Sequence, residues 1–191
     1  MIELENYNRC ELIQYYIDKI RTESYLEIGC DRNQVFKKIR CKNKIGVDPA
    51  KGGTHRMTSD EFFKKNKKKF GVIFIDGLHH YNQVKRDVNN SLKFLEKNGY
   101  IVIHDMLPPG PEYAVVPRPT YPTTWMGDVW RLGFHLKDRE DVTFKLIKID
   151  CGCGVVQKTS NNCLTLTDVD DDFSILEKNI NSLPIVSYSK K

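Results

Sequence analysis

Apolar positions along this chain keep two alternating rhythms. Tyr7, Cys10, Ile13, Ile17 and Ile20 recur at steps that fill one face of a helix. The run Tyr25-Leu26-Glu27-Ile28 follows, halted by Gly29, and reads as a strand. A short helix is expected over roughly Gln34 to Arg40, then a second strand, Lys44-Ile45-Gly46-Val47-Asp48, stopped by Pro49. Thr54 to Met57 suggests a weak strand, and Ser59 or Asp60 would cap a helix carrying Phe62 and Phe63. Val72 to Ile75 is apolar throughout, as a strand buried on both faces should be. Val84, Val88, Leu92 and Leu95 then share a helix face that Asn98-Gly99 would end as a C-cap, and Tyr100-Ile101-Val102-Ile103 is the next buried strand.

Beyond Asp105 the texture changes. Leu107 to Pro122 holds six of the eight prolines, the mark of a structured loop or lid. Trp125-Met126-Gly127-Asp128-Val129-Trp130-Arg131 opens another helix, with Asp128 as its N-cap. Strand-like runs follow at Val142 to Ile149 and Gly154 to Gln157, with a last helix near Phe173 to Ile180. Strands alternating with helices predict an α/β fold around a parallel sheet.

Composition narrows the picture only modestly. A chain of 191 residues makes one domain with a full core. The net charge of +5 hints at an acidic partner, but the densest basic run, Lys64-Lys65-Asn66-Lys67-Lys68-Lys69, reads as a solvated helix end. No apolar stretch approaches the roughly 18 residues of a membrane span. The opening MIELENYNRCELIQ lacks the basic region and apolar core of a signal peptide. The expectation is a cytoplasmic protein with no membrane partner. The six cysteines (Cys10, Cys30, Cys41, Cys151, Cys153 and Cys163) fit neither a disulfide framework nor a zinc spacing, and read as free thiols.

The chemistry gathers at strand ends. In an open α/β sheet, ligands bind outside the carboxyl ends of the strands, where strand order reverses. Here those ends carry Glu27, Gly29, Cys30 and Asp31, then Asp48, then Asp76, His79 and His80, then His104 and Asp105. Gly29 leaves room for a ligand to approach the backbone. Asp48 lies about 20 residues on, where dinucleotide folds set an acid against ribose hydroxyls. A glycine-rich phosphate cradle is missing, which points to a nucleoside ligand without a pyrophosphate. His79, just past a strand end, is placed for general-base work. Asp76 and Asp105 end two strands expected to be neighbours and could share a divalent cation such as Mg²⁺, or orient the histidine instead.

Four segments together resemble the class I S-adenosylmethionine-dependent methyltransferases. They are Leu26-Glu27-Ile28-Gly29-Cys30, Ile45-Gly46-Val47-Asp48-Pro49, Phe74-Ile75-Asp76-Gly77-Leu78-His79-His80-Tyr81 and the string from Leu95 to Asp105, spanning roughly residues 24 to 106. The likeness is strongest to the small-molecule O-methyltransferase branch that includes catechol-type and macrocin-type sugar enzymes. It implies a Rossmann-like, doubly wound, mostly parallel seven-stranded sheet with helices on both faces. It further implies a single domain over 1–191, with a cofactor half to about 105, a substrate loop over about 106–127 and C-terminal strands and helix over 128–191.

By the same resemblance, Glu27, Gly29 and Cys30 would shape the methionine end of an S-adenosylmethionine pocket. Asp48 would take the ribose, and Thr58, Ser59 and Asp60 would lie near the adenine. Asp76, His79 and Asp105 would form the catalytic edge, with Asp76 and Asp105 as candidate metal ligands. His80, Tyr113, Arg118, Tyr121 and Trp125 are candidates for the acceptor pocket, which would take a sugar or other small hydroxyl compound. Trp125 and Trp130 could equally pack the loop onto the sheet or form a homodimer contact. Two features depart from the family pattern: one glycine stands after the first strand, and the acidic pair is reduced to Asp105-Met106 after His104. Two other readings stay open. A nucleic-acid methyltransferase acting on bases would carry an N/D-P-P-Y/F-type segment where this chain has Asp76-Gly77-Leu78-His79, which counts against bases but not against ribose hydroxyls. A non-enzymatic Rossmann-like module would keep the fold alone.

Overall fold

The computed structural model describes residues 8–120, 124–160 and 169–187. Helix α1 (Arg9–Ile20) starts at a capping box. The Asn8 side chain accepts from the amides of Cys10 and Glu11, and the Glu11 carboxylate returns to the Asn8 amide. Strands β1 (Ser24–Ile28), β2 (Asn43–Val47), β3 (Phe70–Ile75) and β4 (Leu95–Ile103) alternate with helices α2 (Ser59–Lys65) and α3 (Tyr81–Phe94). After β4 come α4 (Pro111–Ala114), α5 (Arg131–Lys137), β5 (Val142–Ile147), β6 (Cys153–Lys158), α6 (Ser174–Asn179) and the two-residue β7 (Ile185–Val186).

The seven strands form one sheet in the order β2-β1-β3-β4-β6-β5-β7. Neighbours from β2 to β4 are parallel, and so is β5 with β7, whereas β6 runs antiparallel to both β4 and β5. Strand order therefore reverses between β1 and β3. Alternate side chains separate the two faces. Tyr25, Val72, Phe74 and Val102 pack with Leu12, Ile13 and Ile17 of α1. Leu26, Ile73, Ile75, Ile101 and Ile103 pack with α2, α3 and α5 through Phe62, Val84, Val88 and Leu132. Every residue of β3 is buried, which is why its sequence reads as an unbroken apolar run. No helix among the described residues is long and apolar enough to cross a membrane.

Several local expectations give way to tertiary contacts. Residues 31–38 form consecutive turns rather than a helix, held by bonds such as Lys37 N to Asn33 O. Thr54 to Met57 makes a single bridge, His55 to Val47, and not a strand. Thr58, not Ser59 or Asp60, caps α2: its hydroxyl accepts from Glu61 N at 3.2 Å while Glu61 accepts from Thr58 N at 3.0 Å. Asn98-Gly99 does not end α3. The helix stops at Phe94 and the chain passes directly into β4, where a Cβ on Gly99 would press on the Gly71 carbonyl at 2.7 Å. That glycine serves strand approach, not helix termination. Asp128 likewise caps α3 rather than α5, accepting from the Tyr81 amide at 2.5 Å. Trp130 is buried against Phe134 and Phe173, which removes it from any dimer contact.

Candidate active site

The switch between β1 and β3 opens a cavity of about 660 Å³. Glu27, Gly29, Cys30, Asp48, Ser59, Asp60, Asp76, His79, Asp105 and Arg118 all line it, so one cleft gathers most of the residues singled out from the sequence. The backbone accounts for this convergence. Asp76 N donates to Ile28 O at 2.8 Å and His104 N to Ile75 O at 3.1 Å, extending both ladders one residue past the strands. Gly29 has a φ of +84°, and a Cβ there would overlap the Asp76 carbonyl, so no other residue lets β1 and β3 close at this point.

Asp48 does something the sequence does not disclose. Its Oδ2 accepts from the amides of Cys30 and Asp31 at 3.0 and 2.9 Å, and its Oδ1 from those of Ala50 and Lys51 at 2.8 and 2.7 Å. Burial pushes this carboxyl up, but the four amides outweigh it and hold the group below its ordinary value. Both oxygens are thus engaged in tying the loops after β1 and β2 together. Glu27 is the opposite case. It is buried in β1, accepts from the Tyr25 hydroxyl at 2.6 Å, and is pushed up to about 7 by burial, with Asp76 adding to the shift against the Tyr25 bond.

At the ends of β3 and β4, opposite charges alternate. His79 Nε2 lies 3.2 Å from Asp105 Oδ2 and 3.5 Å from Asp76 Oδ1. His104 Nδ1 lies 3.1 Å from Asp105 Oδ1 and 3.3 Å from Asp76 Oδ1, and its Nε2 is 3.6 Å from Asp150 Oδ1. These are charge contacts, since neither ring nitrogen of His104 has an aligned hydrogen-bond partner. Arg9 closes the set, donating from Nη1 to Asp150 Oδ2 at 2.7 Å and bringing Nε within 3.7 Å of Asp76 Oδ2. Burial alone would lower both histidines and raise Asp76. The paired charges win, so His79 and His104 titrate above the ordinary histidine and Asp76 far below the ordinary carboxylate. Asp105 adopts a left-handed backbone, φ +62°, in the segment that follows β4.

His79 is held from the other side by Trp125, just past the proline-rich segment. Its Nδ1 is 2.9 Å from the Trp125 carbonyl, and the two rings stack with centroids 5.1 Å apart. A carbonyl only accepts, so Nδ1 carries the proton and Nε2 faces the carboxylates. Gly127, at φ +61°, sits where any Cβ would overlap the His79 carbonyl.

The acceptor-side expectations divide. Arg118 lines the cavity and places its guanidinium 5.7 Å from the Trp125 ring centroid. Trp125 acts on the site through His79 and does not line the cavity itself. His80 is turned aside because it precedes the first residue of α3 and meets Trp125 edge-on. Tyr113 belongs to the short α4, where its carbonyl receives the amides of Met126 and Gly127. Tyr121 lies outside the described residues. Arg9, His104 and Asp150 were missed as a group. His104 beside Asp105 was their one sequence signal, whereas Arg9 and Asp150 are 141 positions apart and meet only through the fold.

Residues 31–106 match the family model of a methyltransferase domain. No curated protein matches the chain. Among solved structures, it superimposes on the O-methyltransferase TomG of Streptomyces achromogenes, which is involved in tomaymycin synthesis and was solved with S-adenosylmethionine. The identity is 14%, the TM-score 0.56, and 80% of each chain is covered. An O-methyltransferase of Bacillus cereus with S-adenosylhomocysteine gives 11% identity and a TM-score of 0.57 over 81% of this chain and 84% of that one. MycE of the mycinamycin pathway, solved with Mg, S-adenosylhomocysteine and mycinamycin VI, gives 15% and 0.53 over 81% of this chain but only 50% of its own. At such identities the likeness is one of fold. The chain has a Rossmann-like methyltransferase fold, and the matched segment, residues 31–106, carries most of the cavity lining.

Proposed function

We propose that this chain is an S-adenosylmethionine-dependent O-methyltransferase acting on a hydroxyl of a small molecule, a sugar or glycan, with His79 as general base. The observation that carries the reading is the single cavity at the switch point, which joins Glu27, Gly29 and Ser59 to Asp76, His79 and Asp105. An acid-lined cleft of this size suits a ligand bearing a sulfonium and an ammonium. The methionine end would lie over Gly29 near Glu27, and the adenine toward Ser59 and Asp60. Asp48 would set the ribose end through the loops it ties. When bound, the cofactor supplies an electrophilic methyl group for in-line transfer to oxygen, leaving S-adenosylhomocysteine.

The chain's own part is positioning and proton transfer. The Trp125 carbonyl fixes the tautomer, so neutral His79 offers Nε2 to the acceptor hydroxyl, and Asp105 and Asp76 stabilise the imidazolium that results. The carboxylate oxygens of Asp76 and Asp105 lie within 4.8 Å of one another and would suit a divalent cation such as Mg²⁺ while leaving His79 Nε2 free. Held by Asp76 and Asp105, the ion would lower the acceptor's pKa. MycE, solved with Mg and mycinamycin VI, supports a divalent cation and a small-molecule acceptor. Exposed Leu78, Val115 and Val116 offer apolar surface to such a molecule.

Calorimetry with S-adenosylhomocysteine, with and without EDTA, is the test. Micromolar binding is expected, and a screen of sugar nucleotides and glycans with labelled donor should then give His79-dependent product. Failure of the wild type to bind S-adenosylhomocysteine sinks the reading. Binding with no turnover on any hydroxyl acceptor favours the non-enzymatic alternative.

A further inference from the structure

The wall of the cavity is strongly acidic, and one cation on it stands where a methyl donor has no use for it. Glu27, Asp48, Asp60, Asp76 and Asp105 line the cleft, and the arginines among its lining residues are Arg9 and Arg118. Arg9 is engaged by carboxylates: its Nη1 is 2.7 Å from Asp150 and its Nε 3.7 Å from Asp76. Arg118 differs in place and exposure. It is exposed, it belongs to the proline-rich segment and not to the sheet, and its guanidinium lies over the Trp125 ring, 5.7 Å from the centroid.

Trp125 is a fixed platform for it. The Trp125 carbonyl meets His79 Nδ1 at 2.9 Å, the ring stacks on the His79 imidazole, and the indole N–H donates to the Val115 carbonyl at 2.6 Å. An arginine held on an aromatic face loses little further freedom when it binds an oxyanion, and its fork matches two oxygens of a carboxylate or phosphate. The guanidinium and the His79 imidazole are separated by no more than the Arg118–Trp125 and Trp125–His79 distances laid end to end. One sugar ring bridges that gap, with a hydroxyl at His79 Nε2 and a charged substituent at Arg118.

Charge decides which ligand the arginine serves. The methyl donor carries a sulfonium and an ammonium, which an arginine repels. Its carboxylate goes with the methionine end, over Gly29 and Glu27 at the end of β1, whereas Arg118 is carried by the chain that leads into Trp125. We propose that Arg118 is an anion subsite for the acceptor, and that the hydroxyl compound methylated here is a sugar bearing a phosphate or a carboxylate. The assignment rests on the methyl-transfer reading of the cavity and adds the charge of its acceptor. Because the other walls are acidic, the arginine also orients the sugar, with the charged end at the strap and the hydroxyl at His79.

The experiment starts with calorimetry of S-adenosylhomocysteine on wild type and Arg118→Gln. Ligand-observed NMR then titrates each complex with glucose, glucose 1-phosphate and glucuronate. Wild type should bind an anionic sugar about 5- to 10-fold more tightly than glucose, a charge-assisted bond discounted for its exposure. In R118Q the preference should fall to within about twofold, and added salt should narrow it in wild type alone. The two anionic arms show whether phosphate or carboxylate is preferred. Each ratio is taken on one protein, so a general loss of stability in the variant cancels. Wild type without a preference over glucose overturns the proposal, and so does R118Q keeping it. Loss of S-adenosylhomocysteine binding by R118Q would set Arg118 on the donor's carboxylate and overturns it as well. Wild type that fails to bind S-adenosylhomocysteine overturns the methyl-transfer reading, and this assignment with it.

Discussion

One imidazole and one buried acid carry distinct pH predictions at the scale of single residues. His79 must be neutral at Nε2 to accept a proton, yet Asp76 and Asp105 hold it in the charged form above the ordinary histidine value of about 6.5. The rate of hydroxyl methylation should therefore climb with pH through a limb that lies above 6.5. Asp105→Asn removes one of the two stabilising charges, so its limb should move to lower pH. A pH–rate profile for D105N superimposable on the wild type would refute His79 as the titrating base. Glu27 carries the reverse load. Its folded value near 7 exceeds that of an unfolded glutamate, so the folded state binds the extra proton and stability falls as pH rises from about 4.5 through 7. Above that window the ionised group costs on the order of 3 kcal/mol. Glu27→Gln should consequently be about 2–3 kcal/mol more stable than wild type at pH 8.5 and nearly equal to it at pH 4, by urea unfolding. A gain of the same size at both pH values would show that charge burial is not its cause.

Elements bring these residues together, and two glycines separate what the strands contribute from what the loop contributes. Gly29 lets β1 approach the Asp76 carbonyl, whereas Gly127 lets the segment after Trp125 lie on the His79 carbonyl. Gly29→Ala should abolish S-adenosylhomocysteine binding and lower the melting temperature by several degrees, since both the positive φ and the contact forbid a side chain. Gly127→Ala should leave that binding within a few-fold and lower kcat for the acceptor by about 10- to 100-fold, because only the strap over His79 is displaced. Equal damage to binding by both variants would contradict this division of labour. The legibility of the sequence divides along the same line. The buried strands and the row of carboxylates at their ends could be read from period and position, because burial on two faces leaves a continuous apolar run. Asn98-Gly99 misled because a C-cap signal and a close strand crossing ask for the same residue. Ser59 and Asp60 misled because Thr58 takes the cap, which turns the next two side chains toward the cavity.

At the scale of the whole molecule, the site is braced by groups that no local pattern connects. Arg9 opens α1 and Asp150 lies in the turn between β5 and β6, and His104 stands between them at the end of β4. Neither arginine nor aspartate is remarkable in its own stretch of sequence, so the brace could not be inferred before the sheet order was known. Its contribution can be separated from mere packing through pH. Arg9 and His104 hold the Asp150 carboxyl well below the usual carboxylate range. A depressed folded value gives stability that is fully present above the unfolded value, about 3.9, and lost as pH falls through the folded one. Asp150→Asn keeps the shape of the side chain and removes the charge, so it should cost about 1–2 kcal/mol at pH 7. At pH 3 most unfolded Asp150 of the wild type is protonated, and the gap between wild type and D150N should shrink. Paired urea titrations at the two pH values measure this directly. A gap that does not change between pH 7 and pH 3 would mean that Asp150 acts through the shape of its turn and not through its charge. In that case α1 and the turn between β5 and β6 would be joined by shape alone, and the charge pattern around His104 would belong to the site and not to the fold.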